Sequence, residues 1–109
     1  MKNGFYVVGK CLGSRQLKNV DDTTGEIKFK NEIGIGIARP DGFGGTTQTE
    51  IKISVRDKDL FTNELVEKVQ KLMGKTVIVQ VYPSAWGFNG KTGISYIFNS
   101  ESTIEELKI

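Results

Sequence analysis

The chain has 109 residues, of which 38% are hydrophobic and 26% are charged, values typical of one soluble globular domain. It contains no histidine and a single cysteine, which excludes histidine-based metal sites, Ser-His or Cys-His nucleophiles and an internal disulfide. The net charge is +2, but residues 1–99 carry 14 basic and 10 acidic side chains, a net +4, ahead of an acidic C-terminal segment. We therefore expect no catalytic activity, no metal and no cofactor.

No stretch of the sequence approaches the roughly 20 consecutive apolar residues that span a bilayer. The N-terminal residues lead at once into strand-like sequence and lack the apolar core of a secretory signal. We therefore expect a protein of the cytoplasm that makes no contact with a membrane.

Residues 5–13 are rich in β-branched and aromatic side chains and predict the first strand, which a polar loop at residues 14–26 follows. The Asp-Asp-Thr-Thr-Gly run of this loop is typical of a turn, so its carboxylate pair needs no catalytic role. Arg15 and Lys18 lie near the root of the loop.

Residues 27–38 show the clearest two-residue alternation in the chain, which predicts the second strand. We expect the side chains of one face to line the core: Ile27, Phe29, Ile33, Ile35 and Ile37. The other face carries Lys28, Lys30, Glu32, Gly34 and Gly36. The two glycines either relieve crowding in a sharply coiled sheet or leave a bare floor for a ligand.

A Pro-Asp-Gly turn with Phe43 at its tip leads into the third strand, residues 46–56. The inward residues of this strand are Ile51, Ile53 and Val55, and the outward ones are Glu50, Lys52, Ser54 and Arg56. Residues 57–72 then change to the period of an amphipathic helix, with an apolar stripe at Phe61, Leu65, Val69 and Leu72. Asp57 and Asp59 suit the positive N-terminal end of that helix.

Two further strands are predicted at residues 75–82 and 92–99, and a ten-residue hairpin at 82–91 joins them. The hairpin holds the single tryptophan, Trp86, and Phe88. A tip of this length cannot readily bury both rings within itself, so the rings either fold back onto the core or face a partner. In the first of these strands the expected inward residues are Val77, Val79 and Val81, and in the second Ile94, Tyr96 and Phe98 share one face.

The order strand, loop, strand, hairpin, strand, helix, strand, hairpin, strand is that of the OB-fold. We predict an all-β chain with one helix: a five-stranded OB-fold Greek-key barrel at residues 1–99, with the helix between strands three and four. OB-folds bind single-stranded nucleic acids or oligosaccharides on the face of strands two and three, beside the first loop and the last hairpin. The unusual residues of this chain lie in those places.

A site for single-stranded nucleic acid requires cations along the phosphates and flat rings that stack on bases. We predict stacking by Trp86, Phe88, Phe43 and Tyr82, although Tyr82 could instead cap the barrel. We predict phosphate contacts by Arg15, Lys18, Lys28, Lys30, Lys52, Arg56 and Lys91. Four of these cations, Lys28, Lys30, Lys52 and Arg56, occupy outward positions of strands two and three and could form one basic patch. Alternating lysines are also typical of a plain solvated face.

The hairpin Trp86-Gly87-Phe88-Asn89-Gly90-Lys91 and the ending Ile104-Glu105-Glu106-Leu107, in a chain of this length, resemble the small single-stranded-DNA-binding proteins of filamentous phages and related mobile elements. The resemblance implies an OB-fold homodimer that coats single-stranded DNA without sequence preference during replication of a phage, plasmid or similar element. The full helix is a departure, since the smallest phage binders lack it and bacterial-type single-strand binders have it.

Residues 100–109 are predicted to form an acidic, mobile tail outside the barrel, with apolar side chains at Ile104, Leu107 and Ile109. The tail could recruit a partner protein, as the tails of bacterial-type single-strand binders do. Alternatively, it could form a short docked turn or a dimer contact.

The leading functional hypothesis is therefore sequence-tolerant binding of single-stranded DNA. Two alternatives remain: an OB-like protein-interaction module anchored by Trp86 and Phe88, and a binder of single-stranded RNA, because every base offers a flat face to a ring.

Overall fold

The computed structural model describes residues 4–108, so the predicted tail residue Ile109 lies outside the described residues. Within this range the elements are β1 (Phe5–Val20), β2 (Ile27–Pro40), β3 (Thr46–Val55), α1 (Asn63–Leu72), β4 (Thr76–Phe88), β5 (Lys91–Ile97) and β6 (Ile104–Glu106). The first five strands pair in a closed ring, in the order β1, β2, β3, β5, β4 and back to β1. The β3–β5 pair is parallel, and the other pairs are antiparallel. This ring, with one helix between β3 and β4, confirms the predicted OB-fold.

The core consists mainly of the inward aliphatic side chains of the ring, as the alternation in the sequence predicts. Its buried hydrophobic members are Val7, Cys11, Ile33, Ile35, Ile53, Val55, Val69, Val77, Val79, Val81, Phe98 and Ile104. α1 packs on this core through Val69, whose carbonyl oxygen accepts a hydrogen bond from Cys11 Sγ at 3.6 Å. Burial raises the pKa of the Cys11 thiol, an effect that a hydrogen bond with the backbone of Gly13 partly opposes. Cys11 is therefore a protonated core side chain at neutral pH.

The helix begins at Asn63, later than the predicted start at residue 57. The hydroxyl of Thr62 accepts a hydrogen bond from the backbone N–H of Leu65 at 3.2 Å and so caps the first turn. Asp57 instead accepts from the N–H of Asp59 at 2.9 Å within the preceding turn. The predicted role of the two aspartates at the helix start is wrong, because a threonine nearer to the apolar stripe provides the cap.

Two hairpins continue beyond the ring of strands. The ladder between β2 and β3 ends at Asn31, and residues 17–30 continue as a two-stranded hairpin that we call the first arm. The ladder between β4 and β1 ends at Val81, and residues 84–95 continue as the second arm. Each arm combines a predicted loop, residues 14–26 or 82–91, with the first residues of the strand predicted after it.

In the first arm, β1 runs to Val20 rather than ending at residue 13, so Arg15 and Lys18 lie on a strand and not at the root of a loop. The connecting turn is short, and the carboxylate of Asp21 accepts a hydrogen bond from the N–H of Thr23 at 2.8 Å. The predicted core positions of Ile27 and Phe29 are wrong, because both side chains are exposed. The alternation continues beyond Asn31, where the β2–β3 ladder ends and the side chains lie outside the barrel core.

The second arm ends in a turn of two residues, Asn89 and Gly90, which both have positive φ, 50° and 76°. Phe88 pairs with Lys91 directly across this turn, and Trp86 pairs with Gly93. The predicted ten-residue tip, in which Trp86 has no strand neighbour, is therefore wrong. An Asn-Gly pair with positive φ at both positions is the preferred connection of a tight hairpin.

The C-terminal segment docks on the barrel. β6 pairs antiparallel with β4, and Ile104 is only 1% exposed opposite Val79. Glu106 also forms an ion pair with Lys75 at 3.6 Å. Of the three roles considered for this segment, the structure agrees with docking, although as a strand and not as a turn, and the expectation of a mobile tail is wrong for residues 104–106.

Candidate nucleic-acid interface

The outward face of β1, β2 and β3 contains an open recess of 230 Å³ that we call the glycine recess. Its floor includes Gly34, which lies between Gly13 of β1 and Lys52 of β3 in the sheet. Arg15 and Lys52 line it as cations, and Glu50 lines it as an exposed carboxylate. The recess therefore combines a floor without side chains and positive charge at its margin.

The two glycines of β2 have different environments. A Cβ at Gly34 would make an ordinary contact of 3.4 Å with Cβ of Leu12, so this position has room for a side chain that the glycine leaves out. A Cβ at Gly36 would lie 2.6 Å from the amide carbon of Gln48, whose side chain covers that glycine. The interpretation of a bare floor fits Gly34, and the interpretation of relieved crowding fits Gly36.

A second recess, of 280 Å³, lies where the first arm leaves the barrel, and we call it the arm recess. Lys30 of β2 and Arg56, directly after β3, line it together with Phe29, and Ser95 of β5 lies on its far side. Phe29 is 59% exposed there, and its side chain leaves the face of β2 opposite that of Lys30.

The sequence interpretation missed Phe29 because alternation alone assigns this residue to the core. Its signal is nonetheless present in the sequence, since Phe29 stands between Lys28 and Lys30. Cations that alternate with an aromatic residue are typical of a surface for single-stranded nucleic acid. The exposed ring is a further candidate for base stacking.

Glu32 lines the glycine recess at an outward position of β2, yet it is only 3% exposed. Arg15 Nε donates to its Oε1 at 2.8 Å, and Lys30 Nζ lies 3.6 Å from its Oε2. One buried carboxylate therefore contacts a cation of each recess.

Trp86 and Phe88 lie two residues apart, on the same face of the second arm. The indole of Trp86 covers Gly93 across the arm, where a Cβ would lie 2.7 Å from its Cε2, and the side chain remains 46% exposed. Ser84, which pairs with Ser95 of the arm recess, precedes Trp86 by two residues on the same face. Trp86 therefore lies outside the core, two positions farther along the second arm than this pair.

The other two residues predicted to stack on bases, Phe43 and Tyr82, lie apart from both recesses. Phe43 is 95% exposed at the tip of the β2–β3 hairpin, in a turn where Oδ1 of Asp41 accepts from the N–H of Phe43 at 2.7 Å. Tyr82 lines a separate recess with Phe5 and Glu101.

The predicted cations divide into a group and three separate residues. Lys28 lies two residues from Lys30 on the same face of the first arm, whereas Lys18 pairs with Phe29 and lies on the opposite face. Lys91 is at the tip of the second arm. The structure thus brings four predicted cations to one side of the barrel, and we call this set the cationic face: Arg15, Lys30, Lys52 and Arg56. Their contact with nucleic acid stays a prediction.

Among residues 4–108, no group of three or more acidic or cysteine side chains is placed to hold a metal ion. Over the same range, no helix is both long enough and apolar enough to cross a membrane.

Comparisons with known proteins give one family and several similar chains. The model of a family described as a putative gamma DNA binding protein matches residues 1–108. A relative, a DNA-binding protein of Enterobacteria phage I2-2 that carries the same family designation, is 34% identical over 108 residues, which are 99% of this chain and 94% of the relative.

Two solved structures are also similar. The Plasmodium falciparum SSB, solved in complex with ssDNA, has a TM-score of 0.48 at 14% identity and covers 99% of this chain and 96% of its own. The small single-stranded DNA-binding protein of Streptomyces coelicolor has a TM-score of 0.40 at 10% identity and covers 96% and 95%.

Proposed function

The chain belongs to the gamma DNA-binding protein family, and on that premise we propose that it coats single-stranded DNA during replication of a phage or similar mobile element. The observation that carries the proposal is the cationic face, which lies on the outward side of the barrel, with exposed Phe29 in the arm recess and exposed Trp86 on the second arm. Cations in a groove contact phosphates, and rings stack on bases of any identity. Binding of this kind is tolerant of sequence and needs neither catalysis nor a cofactor.

The geometry supports different contacts with DNA in the two recesses of the cationic face. In the arm recess a base would stack on Phe29 while the neighbouring phosphates contact Lys30 and Arg56. In the glycine recess the strand would approach the sheet closely over Gly34, with its phosphates near Lys52. None of these contacts reads the hydrogen-bonding edge of a base, which is the part that distinguishes one base from another.

A homodimer in the cytoplasm is part of the same proposal. What supports the dimer is Ile94, which is 60% exposed on the face of the second arm opposite Trp86. A second copy on that face would cover an apolar side chain and leave Trp86 free for DNA. Sedimentation equilibrium of the protein without DNA measures the mass of the assembly, and a monomer at all concentrations would contradict a dimer.

Two alternative functions have weaker support. The exposed rings of Trp86 and Phe88 also suit the anchor of a protein-interaction module, and the acidic residues beside β6 could contact a partner. The cationic face would have no role in that case. Single-stranded RNA could occupy the same face, because stacking and phosphate contacts do not require a deoxyribose.

The test of the proposed function is a titration that follows the intrinsic fluorescence of Trp86. We expect oligo-dT to quench the emission at low salt, because a base would stack on or near the indole. The comparison ligands are a uridine oligomer of the same length and a duplex of the same sequence. No change with any single strand would contradict the proposal, and a preference for the uridine oligomer would support the RNA alternative.

Replacement of Trp86 by alanine is expected to lower the affinity for oligo-dT by about 5- to 150-fold, the equivalent of about 1–3 kcal/mol for one stacked base. The anisotropy of a labelled oligonucleotide measures this change without the tryptophan. Trp86→Phe is the control, because it keeps a ring and should retain most of the affinity. If the alanine variant binds like the wild type, Trp86 does not contact the bound DNA.

A further inference from the structure

Glu32 combines a charge, an outward position and almost complete burial. Its exposed fraction of 3% is unusual, because charged side chains are rarely fully buried unless they are paired. Here both carboxylate oxygens have a cationic partner: Oε1 accepts from Arg15 Nε at 2.8 Å, and Oε2 lies 3.6 Å from Lys30 Nζ. The carboxylate therefore restrains two side chains that come from different strands.

The hydrogen bond from Nε determines what Arg15 can still offer to a ligand. A guanidinium has five N–H donors, and the Nε bond occupies one of them. The Arg15 side chain is 47% exposed, and that of Lys30 is 63% exposed. Glu32 therefore holds Arg15 at the Nε of its guanidinium and Lys30 at its ammonium group, and both cations remain accessible to an anion.

The two restrained cations line different recesses. Arg15 lines the glycine recess together with Glu32, and Lys30 lines the arm recess. In the sheet, Glu32 lies between Arg15 on β1 and Ser54 on β3. Arg15 is therefore lateral to this carboxylate and Lys30 lies along its own strand, and a strand of DNA that crosses the outward face would meet both cations.

We propose that Glu32 is a positioning residue for DNA binding, which holds Arg15 and Lys30 so that each recess presents a fixed cation to the same strand. The inference rests on the proposed function. Long cationic side chains lose rotamer freedom when they bind a phosphate, and a side chain that is already restrained loses less. Arginine benefits most, because its remaining donors form a rigid fork that matches a phosphate.

Simple electrostatics predicts the opposite effect. A carboxylate on a cationic face repels phosphates, so its removal should strengthen binding. Glu50 provides the matched comparison: it lines the same recess, it is exposed, and among residues 4–108 it forms no ion pair. Glu32→Gln and Glu50→Gln remove the same charge, but only the first removes an ionic partner of Arg15 and Lys30.

The experiment measures the affinity of the wild type, Glu32→Gln and Glu50→Gln for labelled oligo-dT over a range of salt concentrations. We expect Glu50→Gln to bind slightly more tightly than the wild type, with an unchanged salt slope. We expect Glu32→Gln to bind roughly tenfold more weakly, the scale of one lost charge-assisted hydrogen bond. Its slope of log K against log salt should be shallower by about 0.7, the value of one phosphate contact on a single strand.

Three outcomes are decisive. Tighter binding by both variants would overturn the proposal and show that Glu32 only repels DNA. A lower melting temperature of Glu32→Gln with an unchanged slope would show a purely structural role, which also overturns it. Absence of binding by the wild type would contradict the proposed function itself.

Arg15 provides a second test that does not depend on the folding of Glu32→Gln. Arg15→Lys keeps the charge at a half-exposed position but loses the fork. If a fixed guanidinium matters, Arg15→Lys binds nearly as weakly as Arg15→Ala, and Glu32→Gln has a smaller effect on affinity in the Arg15→Ala background. Wild-type affinity of Arg15→Lys would overturn the positioning role.

Discussion

An increase in salt from 50 to 200 mM is expected to weaken the binding of oligo-dT by about 50- to 130-fold, because each phosphate contact on a single strand contributes about 0.7 to the logarithmic salt slope. The lower value corresponds to about four contacts, one for each member of the cationic face, and the higher value adds Lys28. A titration of labelled oligo-dT at several salt concentrations measures the slope directly.

Single substitutions then show which residues contribute to the salt slope. Lys52→Ala should reduce it by about 0.7, because this cation lines the glycine recess. Lys71→Ala is the control, since Lys71 lies in the last turn of α1 and outside both recesses. A salt-independent affinity of the wild type would refute phosphate contacts as the source of binding, and equal slopes for the two variants would remove Lys52 from the interface.

Replacement of Ile104 by alanine is expected to lower the free energy of unfolding by about 2–5 kcal/mol, the usual cost of truncating a buried isoleucine. Ile104 is fully buried on β6, opposite Val79 of the barrel. The truncation would leave a cavity between the docked segment and β4. Urea unfolding, with an unchanged dependence on denaturant, measures the loss.

Ile94→Ala is the matched control for that experiment. It removes the same atoms from a side chain that is 60% exposed on the second arm, and surface substitutions usually change stability by less than about 0.5 kcal/mol. The control is measured at a protein concentration where the chain is monomeric. Similarly small effects of both substitutions would show that the C-terminal segment does not dock on the barrel.

The barrel could be predicted from the sequence because its core follows simple periodicity. Alternation at Ile33, Ile35, Ile53, Val77 and Val79 identifies inward positions, and the structure buries all five. The position of the single helix between the third and fourth strands then selects the OB-fold. These features depend on local patterns that tertiary contacts reinforce.

The arms could not be predicted from the same patterns. Alternation at Ile27 and Phe29 is identical to that of a core strand. These residues are exposed because they lie beyond the end of the β2–β3 ladder, outside the ring of strands that encloses the core. The proline and the glycines near Trp86 favour a loop in the sequence, although the structure forms paired strands there. The Asn89-Gly90 pair is the available signal, since it indicates a two-residue turn with paired strands on both sides.

The candidate site also combines features that local sequence patterns predict with features that they do not. Sequence alternation correctly places Lys30 and Lys52 on the outward side of neighbouring strands, because the side-chain period of a strand is fixed. The ion pair of Glu32 with Arg15 depends on the register between β1 and β2, which includes a bulge between Cys11 and Gly13. No local pattern in the sequence specifies that register.

The two arms also change the total surface of the molecule. A compact protein of 12.1 kDa exposes about 6,000 Å², whereas this chain exposes 8062 Å². The excess is about 2,000 Å². The arms thus give a very small protein additional surface without enlarging its core.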